Sequence, residues 1–180
     1  MAGAAIREAV GVFRDELPSR VVDIVQRAGL DAAQLHGHES AEDSRWVRAR
    51  VGTVIKAFPA GHPGLQRVGD YGADIVMIDG ATPGSGQVFD WSLAEDAPRA
   101  GHRVVLAGGL EPGNVVEAID LVRPWGVDVS SGVESEPGRK DPVKLRAFLQ
   151  AAKGARPESV GSESRLDAMV DGPYDWQDEL

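Results

Sequence analysis

Short apolar runs alternate with amphipathic stretches along most of this chain, and the alternation predicts a repeating strand–helix order. Ala9 to Phe13 (AVGVF) reads as a strand, and Pro18 to Gly29 as a helix. Val21, Val25 and Ala28 recur at helical spacing there, and Gly29 supplies the stop. Asp31 to His36 is a second strand, Glu39 to Val51 a helix with Trp46 and Val47 on its apolar side, and Thr53 to Phe58 a third strand. A helix from Pro63 to Tyr71, closed by Gly72, leads to a fourth strand, Asp74 to Asp79. A polar, glycine-rich loop from Gly80 to Val88 and a short helical segment, Trp91 to Arg99, follow. His102 to Ala107 is the fifth strand, and Pro112 suits the first turn of a helix with Val115, Ala118, Ile119 and Val122 as its buried stripe. Gly126 to Ser130 is the sixth strand. Asp141-Pro142 then starts a last helix whose stripe is Leu145, Phe148, Leu149 and Ala152.

Strands rich in Val and Ile, separated by helices, predict a parallel sheet covered by helices. A doubly wound open sheet and a (β/α)8 barrel both satisfy this order, and both place their sites at strand C-terminal ends. Those ends carry His36-Gly37, Lys56, Asp79, Gly108-Gly109 and Ser130-Ser131-Gly132. The expected division is a domain over 1–153 and a polar, mobile tail over 154–180, where Leu166, Met169, Val170, Tyr174 and Trp176 are the residues able to dock.

Composition narrows the function classes. The 180 residues are 42% hydrophobic, a globular proportion. No apolar run approaches the roughly 18 residues of a membrane span, and the N-terminus lacks the apolar core of a secretory signal. A net charge of −9 with no Lys/Arg-rich run argues against nucleic acid, whose phosphates need clustered cations. A cytoplasmic protein is expected, of unassigned oligomeric state. With no cysteine, disulfides, thiolate zinc sites and a cysteine nucleophile or base are excluded. His36, His38 and His62 show no metal-ligand spacing, so no metal is expected.

Two successive strand ends, LAGGLEPGNV (Leu106 to Val115) and VDVSSGVESEPGRKD (Val127 to Asp141), carry glycine-rich turns. Glycines let backbone N–H groups approach an anion, and consecutive barrel strands commonly bind phosphate this way. Glycine pairs also make plain turns. Asp90, between Phe89 and Trp91, is a candidate acid if those neighbours raise its pKa, and equally a helix N-cap. Asp79 is placed to orient the following loop, Glu134 to cap a turn or meet a hydroxyl, and Lys56 to pair with an acid.

Taken together, VGVF (10–13), DAAQLHGHE (31–39), VIKAF (54–58), GSGQVFDW (84–91), LAGGLEPGNVVEAI (106–119) and VRPWGVDVSSGVESEPGRKD (122–141) resemble the phosphoribosylanthranilate isomerase family. The resemblance runs from about Val10 to Phe148. It implies a barrel of the (β/α)8 TIM kind and an Amadori rearrangement of N-(5-phosphoribosyl)anthranilate to a 1-deoxyribulose phosphate in tryptophan biosynthesis. It implies no cofactor, and a small phosphorylated sugar as the substrate, with neither nucleic acid nor membrane as a partner. The family's acid maps to Asp90, its phosphate loops to Gly108, Gly109, Ser131 and Gly132, and the histidine at the site mouth to His36; Asp79 joins these as a substrate-binding candidate.

The resemblance also carries a departure. The family opens with a strand reading K-[IV]-C-G, whose cysteine is the base, and a second strand whose loop carries an arginine. VGVF matches the third strand, so about six of the eight βα units are expected here. The expectation is a truncated gene product or fragment, with Met1 to Ala9 a remnant of the preceding helix and base catalysis, typically worth ~10²–10⁴-fold, impaired. A catalytically impaired phosphate-binding remnant is therefore the alternative to the isomerase. Another phosphate-binding barrel enzyme is a third reading, disfavoured by the setting of Asp90.

Overall fold

The computed structural model describes residues 8–80 and 90–155. Six strands form one parallel sheet in sequential order: β1 (Val10–Phe13), β2 (Ala32–Leu35), β3 (Thr53–Pro59), β4 (Ile75–Asp79), β5 (Val104–Leu106) and β6 (Gly126–Val127). Right-handed crossovers between successive neighbours keep the helices on one face, which is the winding of a (β/α)8 barrel and not of a doubly wound sheet. Among the described residues β1 and β6 are the sheet edges, so the ring is open.

Local signals set most helix ends. Helix α1 (Pro18–Ala28) opens with a proline and closes on Gly29 at φ 65°, a left-handed cap that glycine takes without Cβ strain. Helix α2 (Ala41–Arg48) starts at Ser40 in a capping box, the serine Oγ accepting from Asp43 N–H while the Asp43 carboxylate accepts from Ser40 N–H. Short α3 (Asp96–Arg99) precedes β5, and α4 (Val115–Val122) follows it. Helix α5 (Pro142–Gly154) is capped by Asp141, whose carboxylate accepts from Val143 N–H at 2.8 Å and Lys144 N–H at 3.1 Å.

The core lies between the sheet and its helices, in two clusters. Phe13, Val21, Val25, Leu35, Val47 and Val54 pack beneath α1 and α2. Phe58, Ile78, Trp91, Leu106, Val115 and Phe148 pack beneath the later helices. The opposite face of the sheet carries a small apolar group, Ile55, Ala57, Met77 and Ala107.

Several elements differ from the sequence expectation. Pro63–Tyr71 is a 3₁₀ stretch kinked at Arg67, and Trp91–Arg99 divides into a 3₁₀ turn (Trp91–Ala94) and α3. Pro112 lies three residues ahead of α4, because the Asn114 side chain holds the intervening turn, accepting from Glu111 N–H at 2.8 Å and donating to Gly109 O at 2.9 Å. The sixth strand pairs only through Gly126 and Val127, after which the chain turns into the site. A hairpin of β7 (Glu134–Glu136) and β8 (Arg139–Lys140) was not foreseen. Trp46 is exposed, not core-facing: Val47 takes the inward position, and Trp46, about 100° round the helix, lies beneath the Arg50 guanidinium at 3.8 Å. Ala28 is exposed at the end of α1, and Leu145 and Leu149 are exposed because α5 packs against α4 and the Ser131–Val133 turn through one side only. The Gly80–Val88 loop beyond its first residue, the Met1–Ala9 segment up to Arg7, and the expected tail from Arg156 onward lie outside the described residues.

Candidate active site

At the C-terminal ends of β2, β4, β5 and β6 lies a cavity of about 440 Å³. Its wall includes His36, Asp79, Gly108, Gly109, Ser131 and Gly132, so six of the candidates singled out in the sequence meet there, while Asp90, Lys56 and Glu134 do not line it. The parallel sheet does this by itself, since every strand delivers its last residues to the same end.

The two turns are built for glycine. Gly108 and Gly109 have φ values of 86° and 68°. A Cβ on Gly108 would meet Asp79 Oδ1 at 2.8 Å as well as the Gly80 backbone. A Cβ on Gly132 would overlap the Leu110 carbonyl oxygen, so the second turn lies directly against the first. Among the described residues the N–H groups of Gly108 and Gly109 donate to no protein acceptor, and turns of this kind can present N–H groups to an anion.

Beside the turns stands a polar cluster. His36 Nε2 is 3.4 Å from Asp79 Oδ2, and Asp79 Oδ1 accepts from Gly80 N–H at 2.7 Å. Asp79 thus fixes the first residue of the loop it was expected to orient. Three polar wall residues were not foreseen: Arg14, Gln34 and Asp128. Asp128 was legible by parity, standing two residues before Ser130 at a strand end. Its side chain is accessible from the cavity, yet protein crowds the carboxyl. Partial loss of water, then repulsion from Asp79, raises its pKa above the ordinary aspartate value, against opposing pulls from His36 and Lys140. Because the residue is accessible, solvent screens this effect.

Asp90 behaves differently from the sequence expectation. Its carboxylate is exposed and accepts from Ser92 N–H at 3.0 Å, capping the turn at Trp91. Bonding with Ser92 lowers its pKa; the expected rise does not occur, because Trp91 buries its ring in the core instead of covering the carboxyl. Asp90 is not part of the described cavity wall, though Leu93, three residues on, lies 3.6 Å from the Cβ position of Gly61 in the loop leaving β3. That keeps the Asp90 turn at the C-terminal end of the sheet.

The remaining polar residues hold loops. Lys56, 2% exposed, donates to Glu39 Oε2 at 2.9 Å and to the carbonyls of Leu35, Gly37 and Ala57. Glu134 accepts from Lys140 and Gly138, which lowers its pKa and braces the hairpin. His38 pairs with Asp15, and His62 caps the 3₁₀ stretch by accepting from Gly64 N–H. No group of acidic residues and histidines able to hold a metal ion occurs among the described residues.

An open-ended parallel sheet wound in one direction, with its polar cavity at the strand C-termini, defines a protein of the (β/α)8-barrel class. Comparison with known proteins gives the particular family. Residues 2–151 match the family model of N-(5'-phosphoribosyl)anthranilate isomerase. The chain is 44% identical over 153 residues to the N-(5'-phosphoribosyl)anthranilate isomerase of Trichlorobacter lovleyi, covering 82% of this chain and 73% of that protein. The crystal structure of phosphoribosyl anthranilate isomerase from Thermus thermophilus superposes with a TM-score of 0.74 at 41% identity, over 82% of this chain and 72% of that one. A phosphoribosyl anthranilate isomerase in complex with reduced 1-(o-carboxyphenylamino)-1-deoxyribulose 5-phosphate superposes with a TM-score of 0.69 at 41% identity, over 82% and 72% of the two chains. The chain belongs to the N-(5'-phosphoribosyl)anthranilate isomerase family.

Proposed function

We propose that this chain acts on N-(5'-phosphoribosyl)anthranilate, opening its furanose ring and moving the carbonyl from C1 to C2 of the sugar, as a cytoplasmic step of tryptophan biosynthesis. One observation carries the reading: the two interlocked glycine turns and the His36–Asp79–Asp128 cluster share a single cavity in a chain of this family. The complex of a relative with a phosphorylated, carboxyphenylamino-substituted sugar supports a ligand of the same chemistry here.

In this reading the N–H groups of Gly108, Gly109, Ser131 and Gly132 hold the phosphate. His36 and Asp79 face the sugar. Asp90 gives its proton to the ring oxygen as the C1–O bond breaks, producing an open-chain iminium. Loss of the C2 proton to a base then yields the enolamine, which tautomerises to the ketose. A second reading gives the first proton to Asp128, because Asp128 lines the cavity and its pKa moves toward neutrality, whereas that of Asp90 moves away.

The test is turnover of N-(5'-phosphoribosyl)anthranilate by the full chain, with Asp90→Asn and Asp128→Asn alongside. A rate no greater than background refutes the isomerase reading for this chain. With turnover, a loss of ~10²-fold or more confined to Asp90→Asn supports the first assignment of the acid. The same loss confined to Asp128→Asn supports the second. Phosphate affinity stays near wild type in the variant that has lost only its acid.

A further inference from the structure

Gln34 and His36 are two residues apart where β2 leaves the sheet, so both side chains face the cavity. Gln34 is 9% exposed, and its Nε2 lies 2.8 Å from His36 Nδ1. The same Nε2 lies 3.4 Å from Met77 Sδ. A thioether sulfur only accepts, so the end of the carboxamide that touches it is the NH2 group. A flipped amide would set Oε1 against sulfur and leave the NH2 group without either acceptor.

We propose that Gln34 is a positioning residue that holds His36 as the neutral Nε2–H tautomer. The NH2 group donates to Nδ1, so Nδ1 carries a lone pair and the ring proton sits on Nε2, the nitrogen 3.4 Å from Asp79 Oδ2. The Nε2 edge of the ring is thus turned towards Asp79, whose Oδ1 accepts from Gly80 N–H. The charged groups that share a cavity wall with the ring include Asp79, Asp128, Arg14, Glu39 and Lys56, the last two paired with each other. Gln34, as donor, denies a ring proton the Nδ1 position. His36 thereby presents a fixed N–H at Nε2 to the cavity. Its bearing on turnover rests on the isomerase reading; the tautomer does not.

Nitrogen-15 NMR of the full chain labelled at its four histidines reads this directly, with His36→Asn identifying the His36 signals. Near about pH 8, where imidazole is ordinarily neutral, wild-type His36 shows a protonated Nε2 and an unprotonated Nδ1. Gln34→Glu is close to isosteric and sets an acceptor against Nδ1, so its spectrum gains a protonated Nδ1. A wild-type ring protonated at Nδ1, or His36 signals unchanged in a folded Gln34→Glu, overturns the proposal. If Gln34→Glu does not fold, the wild-type spectrum decides alone. Neither outcome depends on activity, so failure here is distinct from failure of the isomerase reading.

Discussion

Replacing Lys56 by methionine removes the centre of the loop structure behind the cavity. The ammonium has three protons and four acceptors within 3.2 Å: Glu39 and the carbonyls of Leu35, Gly37 and Ala57. Both partners are enclosed, with side-chain exposures of 2% for Lys56 and 4% for Glu39. Removing one member of a buried pair costs about 3–5 kcal/mol, because the survivor's charge stays in surroundings that cannot solvate it. Glu39 keeps the N–H groups of Asp15 at 2.9 Å and Gly37 at 3.0 Å, which places the loss at the lower end, about 3 kcal/mol. With a urea dependence of about 2 kcal/mol per molar, the unfolding midpoint falls by about 1.5 M. Adding Glu39→Gln removes the stranded charge and recovers most of the loss; because Glu39→Gln alone also strands the Lys56 charge, the coupling in the double-mutant cycle is at least about 2 kcal/mol. Urea unfolding of the four proteins measures this. A loss below about 1 kcal/mol in Lys56→Met, or strict additivity of the two changes, refutes the claim that this pair holds the β2 loop to β3.

Other expectations concern separate features. The raised pKa of Asp128 means that the folded state holds its proton more tightly than the unfolded chain. Its stabilising contribution is therefore complete below the ordinary aspartate value, about 3.9, and is lost as pH rises through the folded value. Asp128→Asn should flatten the pH dependence of thermal unfolding above that value and raise the melting temperature near neutrality; an unchanged profile contradicts the assigned shift. Gly132→Ala drives a methyl group into the Leu110 carbonyl, so it should cost about 1–3 kcal/mol and weaken binding of inorganic phosphate, both readable by calorimetry. Ser40→Ala opens the capping box of α2 and should cost about 1 kcal/mol in urea unfolding without changing phosphate binding.

The order of six strands and the main helices could be read from the chain alone, and so could the helix ends at Gly29 and Asp141, because these follow from side-chain period and from residues acting within one turn of themselves; the capping box at Ser40 was not read. The glycine turns and His36 were legible for a related reason: a parallel sheet brings every strand end to one place, so position in the repeat already says where they go. The repeat did not say which strand-end groups would touch. Asp128 comes within electrostatic reach of Asp79, and Gln34, already bonded to His36 two residues on, also reaches Met77, 43 residues away in the chain, only because the sheet sets their strands side by side in one register. Asp90 offered two roles in the sequence, and the turn beginning at Trp91 realised the cap while the core claimed the indole meant to cover it. Trp46 and Val47 were both apolar and adjacent, and only packing against α1 and β3 decided which of them faced inward. Local pattern fixes what a residue does within a few positions of itself. Electrostatic environment, tautomer and access to the cavity depend on distant neighbours, and those exist only once the sheet has formed.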